Sequence, residues 1–225
     1  SGRVSTAGAR GRACETAQPI KSNEGNMYDT VVASIEWPEP LDESVFQGGQ
    51  MTSDLQGSET LRLWRNEANQ PRLTYWRRVG EVGGRLRVEF SIPKMAGISP
   101  YDNPSEEDKD SAIHLVGEYV RTLFESEFPA LSQWAISRID YAWNWNVDSD
   151  ISLYMSILQS LWVGGMSRHP YPDSQGVIFK SKQRAARWVK FYDKAKQLGD
   201  GSGRGVLRFE VSNYKRVLPY MCEQW

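Results

Sequence analysis

One short segment of strictly alternating apolar and polar residues constrains the fold of this chain most. Successive side chains of a β-strand point to opposite faces, so the alternation predicts a strand with one face in a core and one polar face. The segment is 85–92, with Leu86, Val88, Phe90 and Ile92 on one face and Arg85, Arg87, Glu89 and Ser91 on the other. It therefore places the Glu89 carboxylate on a polar sheet face.

Two other apolar segments each carry an arginine and a carboxylate two residues apart. Arg138 and Asp140 stand in ISRID, and Arg208 and Glu210 stand in LRFE. Residues i and i+2 share a face of a strand, so each pair points away from its apolar neighbours. Taken singly, each pair is more typical of a solvated cross-strand ion pair. Together they indicate a second set of carboxylates on a polar sheet face.

Tyr192 ends a third apolar segment and is a candidate nucleophile. A free phenol with a pKa of about 10 attacks poorly at neutral pH, so it needs a nearby cation or a metal ion to favour the phenolate. Lys194 supplies that cation if the strand continues to it, but not if Tyr192 opens a helix. The alternative is that Tyr192 only packs, as tyrosines at the end of apolar strands more often do.

Gathered on one sheet face, these groups predict a site that handles phosphate with a metal ion. Asp140, Glu210 and Glu89 are the candidate ligands, because all three sit mid-strand on predicted polar faces, and oxygen-only ligands favour Mg²⁺ or Mn²⁺. Such an ion stabilises charge on the phosphate and helps the leaving oxygen. Arg138 and Arg208 are expected to clamp phosphates or orient the carboxylates.

The net charge of −1 excludes a simple basic DNA-coating protein, but the charge is unevenly spread. Residues 180–196 contain seven cations against one acid, Asp193. This footprint predicts a DNA-binding segment, although a basic run is usually just a solvated face. The cations are Lys180, Lys182, Arg184, Arg187, Lys190, Lys194 and Lys196.

The order of elements predicts an α+β fold: an antiparallel β-sheet with helices packed on one face and its polar face free. The predicted order is β-β-β-β-α-β-α-β-β-β, with a last helix from Tyr214 onward. The glycine- and glutamine-rich segment 47–57 is interpreted as a loop. Residues 1–26 show no periodicity and are predicted to be a flexible tail, with 27–225 as one domain.

Cysteine usage and hydropathy bear on the compartment. Cys14 and Cys222 are far apart, which suggests neither a zinc site nor a disulfide framework and fits a reducing cytosol. No apolar run approaches the ~18 residues that a membrane span needs, and no signal peptide is visible.

The order of the motifs resembles a known family. ISRID, then about fifty residues on FYDK, then LRFE followed by Tyr-Lys, is similar to the gene II/gene X replication initiators of filamentous phages. The same signatures resemble plasmid rolling-circle initiators of the Rep-trans kind. The likeness includes Met27–Val32 and Val88–Phe90 and so spans Met27 to Trp225. The chain stops soon after the third motif, and we expect a C-terminal portion of the family to be missing.

The resemblance implies a relaxase/replication-initiator-like fold and a metal-dependent nick at a replication origin. A tyrosine becomes joined to the 5′ phosphate, and the freed 3′ hydroxyl primes rolling-circle synthesis. By position, Tyr192 is the implied nucleophile, Asp140 and Glu210 are metal-site carboxylates, and Glu89 is a weaker match. The resemblance also implies a cofactor and partners: Mg²⁺ or Mn²⁺, origin DNA (single-stranded or supercoiled duplex) and a host helicase. The expected compartment is the bacterial cytoplasm. The paired-histidine metal motif of related relaxases has no counterpart here.

Two other functions remain open. One is a non-catalytic sheet that binds single-stranded nucleic acid, with cations along the backbone and aromatic rings under the bases. The carboxylates argue against it, because a pure binder gains nothing from acids that face phosphates. The other is a hydrolytic metal nuclease in which Tyr192 is only structural.

Overall fold

The computed structural model describes residues 28–46, 49–53, 59–67, 69–125, 127–147, 151–172, 176–182, 187–199 and 205–214. In this part of the chain ten strands form one antiparallel sheet, in the order β2-β3-β4-β5-β1-β6-β10-β9-β8-β7. The strands are β1 Tyr28–Trp37, β2 Gly49–Ser53, β3 Glu59–Arg65, β4 Arg72–Arg78, β5 Gly84–Ser91, β6 Ala135–Asn146, β7 Met166–Pro170, β8 Gly176–Ser181, β9 Arg187–Asp193 and β10 Val206–Tyr214. The α+β fold predicted from the sequence is confirmed.

Four α-helices and two 3₁₀ turns accompany the sheet in the described residues. The helices are α1 Ile92–Ala96, α2 Glu106–Phe124, α3 Ile151–Ser160 and α4 Lys194–Gln197, and the 3₁₀ turns are Glu43–Val45 and Leu131–Gln133. α2 begins with a capping box, in which Ser105 and Asp108 satisfy each other's backbone N–H. No helix here is long and apolar enough to cross a membrane.

The core lies between α2 and the central strands. Val116 and Val120 of α2 are buried against the apolar face of β5 and its neighbours, which includes Leu86, Val88 and Phe90. The alternation that predicted a half-buried strand is thus realised from Arg85 to Ser91, while Ile92, predicted as its last residue, begins α1. Around the second half of the sheet, α3 lies against β8, β9 and β10.

Several local predictions differ from the structure. β2 lies inside the segment predicted as a loop, because it gains backbone hydrogen bonds from β3, and β7 is a strand that the sequence did not indicate. Tyr214 ends β10 opposite Arg138 instead of opening a helix, since pairing with the long strand β6 extends β10. The predicted helix beyond Tyr214 and the predicted tail 1–26 lie outside the described residues.

Candidate active site

The sheet register brings the three predicted motif strands side by side. β10 lies between β6 and β9, so Arg208 pairs with Tyr192, Glu210 with Lys190, and Ser212 with Asp140. Directly paired residues share a face, and these all lie on the face opposite the α2 core. We call the group of polar side chains on this face the central cluster. It contains the residues just named together with Arg138, Glu89 and Asp29.

Tyr192 is held at the centre of this cluster. Its hydroxyl donates a 2.9 Å hydrogen bond to Glu210 Oε2, and its ring stacks on Tyr171 with centroids 4.5 Å apart. Only 3% of Tyr192 is exposed, and this burial, followed by the negative charge of Glu210, raises the pKa of its hydroxyl. The raised pKa disfavours the phenolate that an activated nucleophile would need, so Tyr192 rests as a neutral phenol.

Lys194 does not share the strand of Tyr192. β9 ends at Asp193, whose side chain caps α4, and Lys194 is the first residue of that helix. The condition under which the sequence placed Lys194 beside Tyr192 is therefore not met. Lys194 still lies in the electrostatic field of the cluster, because burial, reinforced by the charge of Arg208, lowers the pKa of its amine to about 8.

Asp140 is 1% exposed and is fully engaged by one partner. Arg138 donates from Nε to Oδ1 at 3.0 Å and from Nη2 to Oδ2 at 2.8 Å. Burial raises the pKa of the Asp140 carboxyl, and the two bonds from Arg138 oppose this rise. Arg138 also approaches Glu89 at 3.8 Å, so its role here is to orient carboxylates.

Only 3% of Arg208 is exposed, and one of its N–H donors has no acceptor among the described residues. Its guanidinium pairs with Asp29 at 2.5 Å and donates to Asn144 Oδ1 at 3.2 Å. Its Nε lies 3.8 Å from Glu210 and has no hydrogen-bond partner among the described residues; the same is true of Ser212 Oγ. Two buried donors on one face thus lack acceptors in the described structure, and an anion bound there would supply them.

The carboxylates do not fit a metal ion as they stand. Both oxygens of Asp140 accept from Arg138, while Glu210 accepts from Lys190 on one oxygen and from Tyr192 on the other. Glu89 is bonded to Arg87 at 3.0 Å. No group of three or more His, Cys, Asp or Glu within the described ranges could hold an ion. Oxygen ligands have the right chemistry for Mg²⁺ or Mn²⁺, but an ion would have to displace these donors.

The predicted basic segment is not one surface. Lys180 lies over the Trp188 ring, 4.4 Å from its centroid, and Lys190 is engaged by Glu210. Arg187 points to the other sheet face, where it donates to Asn213 at 3.1 Å. Lys182 is exposed. Arg184 lies outside the described residues.

Four residues of the site were not predicted: Asp29, Asn144, Tyr171 and Ser212. Asp29 reaches Arg208 because the β1–β6 register shifts between Tyr28 and Thr30, and such a bulge cannot be read from alternation. Tyr171 lies in the connection after β7 and meets Tyr192 only through tertiary packing. Ser212 and Asn144 had a usable signal, since Ser212 follows Glu210 by two residues and Asn144 follows Asp140 by four, on the same strand face.

The comparisons with known proteins establish little beyond this geometry. No family model matches the chain, and no curated protein matches it in sequence. A rolling circle replication initiator protein from Geobacillus stearothermophilus is similar in structure, with a TM-score of 0.36 and 11% identity over 84% of this chain and 74% of that chain. The di-domain ARO/CYC StfQ from the steffimycin biosynthetic pathway has a TM-score of 0.25 and 10% identity, over 85% of this chain and 87% of that chain. Scores this low show neither a shared family nor a shared function.

Proposed function

We propose that this protein is a nicking-joining DNA endonuclease that initiates rolling-circle replication and uses Tyr192 as its nucleophile. The observation that carries the proposal is the 2.9 Å hydrogen bond from the buried Tyr192 hydroxyl to Glu210, within a cluster of cations. The resemblance of the three motifs to phage and plasmid initiators supplies the substrate, origin DNA. A phenol, an acceptor for its proton and cations for a phosphate are the groups that a transesterification needs.

The reaction balances with the groups at hand. Tyr192 Oη forms a bond to phosphorus and the P–O3′ bond breaks, which leaves a 5′-phosphotyrosine and a 3′ oxygen. Since Tyr192 is neutral at rest, its proton passes to Glu210 Oε2 as the new bond forms. Lys194, whose amine has a pKa of about 8, gives a proton to the leaving 3′ oxygen.

The unpaired donors stabilise the charge that develops on the phosphate. Arg208 Nε and Ser212 Oγ are buried and without acceptors in the described structure, so they would donate to the non-bridging oxygens once the side chains that cover them move aside. Lys190 and Arg138 hold Glu210 and Asp140 in place. Because Tyr192 is almost fully covered, DNA has to displace the stacked Tyr171 ring to reach it.

Several expectations from the sequence remain part of the proposal. They are Mg²⁺ or Mn²⁺ at Asp140, Glu210 and Glu89, a host helicase as partner, and a bacterial cytoplasm as the compartment. Bound at those carboxylates, such an ion would act as a Lewis acid toward the phosphate. None of the steps above depends on it.

The test is covalent capture of DNA. Wild-type protein, incubated with single-stranded DNA that contains its origin and with Mg²⁺ or Mn²⁺, should retain the fragment that begins with the 5′ phosphate. Tyr192→Phe keeps the ring and its stack on Tyr171, so it should fold and bind DNA but form no adduct. The matched control is Tyr171→Phe, which removes the neighbouring hydroxyl and should still form the adduct.

Three outcomes would contradict the proposal. If Tyr192→Phe cleaves DNA at the wild-type rate, Tyr192 is not the nucleophile and the protein is a hydrolytic nuclease. DNA binding without cleavage by any variant, including the wild type, would leave a non-catalytic single-strand-binding protein. An adduct on the 3′ side would mean that the polarity implied by the resemblance is wrong.

A further inference from the structure

A second polar surface lies on the same sheet face as the central cluster, on β3, β4 and β5. In β4, Leu73 and Tyr75 are fully buried in the core, so Arg72, Thr74 and Trp76, which alternate with them, point to the opposite face. The register places Arg62 beside Trp76, and Trp76 beside Arg85. We call this the arginine–tryptophan surface. It consists of Arg62, Trp64, Arg72, Trp76, Arg78, Arg85 and Arg87.

Two cations of this surface are not neutralised by neighbouring carboxylates, whereas the other three, among them Arg78 at 4.0 Å from Glu81, have an ion-pair partner. On these three strand faces five arginines stand against one carboxylate, Glu89. Arg87 pairs with Glu89 at 3.0 Å, and Arg85 pairs with Glu36 of β1 at 2.7 Å. Arg62 and Arg72 are exposed and have no ion-pair partner in the described part of the chain. In a chain with a net charge of −1, such a concentration favours an anionic ligand.

The aromatic rings decide which anion fits. Trp64 and Trp76 are half-buried on the open face, and the Arg85 guanidinium lies 5.8 Å from the Trp76 ring centroid. Rings set among cations suit single-stranded nucleic acid, because unpaired bases stack on them while the cations follow the backbone. A duplex hides the faces of its bases and would use only the arginines.

The surface runs into the candidate active site. Glu89 of β5 lies 3.8 Å from Arg138, which in turn holds Asp140. Neighbouring strands are about 4.8 Å apart, so β4 and β9, the strand of Tyr192, are separated by about 24 Å along the sheet. We propose that the arginine–tryptophan surface binds single-stranded DNA and guides it to Tyr192. This rests on the proposed function, since it names how the same substrate is held.

The cationic part is tested by the salt dependence of binding. The probe is a fluorescent oligothymidylate of about 30 nucleotides, longer than the 4–16 that one binding module covers. Arg62→Ala/Arg72→Ala should weaken binding and lower the slope of log K against log salt by about 1.4, which is about 0.7 for each phosphate contact. The control, Lys94→Ala/Arg121→Ala, removes the same charge from α1 and α2 and should leave the slope unchanged. Equal slopes in the two double variants would overturn the inference.

The aromatic part is tested with a second probe, an abasic oligonucleotide of the same length. Wild-type protein should prefer the thymidylate, and Trp76→Ala should lose most of that preference. The control is Trp145→Ala, which removes an exposed ring from the opposite face and should keep the preference. A preference that Trp76→Ala leaves intact would overturn the assignment to single strands.

Both tests are made in the Tyr192→Phe background, with folding checked by circular dichroism, so binding is measured without nicking. A wild type that forms the adduct while both slopes stay equal would remove this inference and leave the nicking function. If the salt slope falls as expected in Arg62→Ala/Arg72→Ala but the wild type never nicks DNA, single-strand binding by this surface would stand and the nicking function would be removed.

Discussion

The Tyr192 hydroxyl and the Glu210 carboxylate lie on neighbouring strands and are joined by a 2.9 Å hydrogen bond. The other oxygen of Glu210 accepts from Lys190, so this carboxylate is held between a phenol and a cation. Burial and the negative charge of Glu210 raise the pKa of the phenol and keep it neutral, and the bond fixes the direction in which its proton can leave. Under the proposed mechanism it makes Glu210 the proton acceptor.

Glu210→Gln should therefore nick slowly. The amide keeps the size of the side chain but cannot accept the proton, and lost general-base catalysis costs about 10²–10⁴ in rate. DNA binding should persist. The control is Glu43→Gln, whose carboxylate contacts Arg77 outside the central cluster. Single-turnover nicking rates measure the effect, and a wild-type rate in Glu210→Gln would exclude it as the base.

Lys194 predicts how nicking depends on pH. Its amine, with a pKa of about 8, is protonated below that pH and neutral above it. As the proton donor it should make the nicking rate fall as pH rises through about 8. Lys194→Arg, protonated throughout, should lack this decline if it remains active. A pH–rate profile that falls equally in both proteins would assign the titration to another group.

The same lysine predicts how stability depends on pH. An unfolded lysine has a pKa of about 10.4, so between about pH 8 and 10 the unfolded chain binds more protons than the folded one. The free energy of unfolding should consequently rise with pH in this window relative to Lys194→Met. Urea denaturation at pH 8 and pH 10 measures it, and a flat difference between the two proteins would contradict the lowered pKa.

Metal binding should be limited by the protein's own cations. Lys190→Met removes the cation that occupies one oxygen of Glu210, so the net charge of the cluster becomes more negative by one. We expect the Mn²⁺ affinity to rise at least about tenfold, which corresponds to about 1.4 kcal/mol. Lys180→Met is the control, because Lys180 lies over Trp188 on the same face. Calorimetric titration with Mn²⁺ measures both. Absence of a gain in Lys190→Met would argue against Glu210 as a metal ligand.

Gly176 should be required for the geometry of Tyr192. A Cβ at this position would lie 2.0 Å from Phe191 O and 2.8 Å from Tyr192 Cα, and backbone atoms cannot easily give way. Gly176→Ala should destabilise the fold by about 1–3 kcal/mol and reduce nicking. In the control Gly117→Ala, the nearest atoms are 3.9 Å away, and the helix should gain about 0.5–1 kcal/mol. Urea denaturation compares the two variants, and equal stabilities would contradict this packing.

The sequence alone determined the central strands, though not β2 or β7, and the faces of their side chains. The alternation through Leu86, Val88 and Phe90 predicted a strand with one buried face, and that face packs under α2. The two-residue spacing of Arg208 and Glu210 predicted that they share a face, as they do. These predictions succeed because side-chain direction along a strand is a local, geometric property.

Only the tertiary structure decided what surrounds these groups. The bulge that turns Asp29 to Arg208, the Tyr171 ring on Tyr192, and the saturation of Asp140 by Arg138 depend on which strands are neighbours and in which register. Burial likewise raises the pKa of the Tyr192 hydroxyl, a shift that the sequence did not indicate. Register, burial and ion pairing arise between segments far apart in the chain, so no local pattern encodes them.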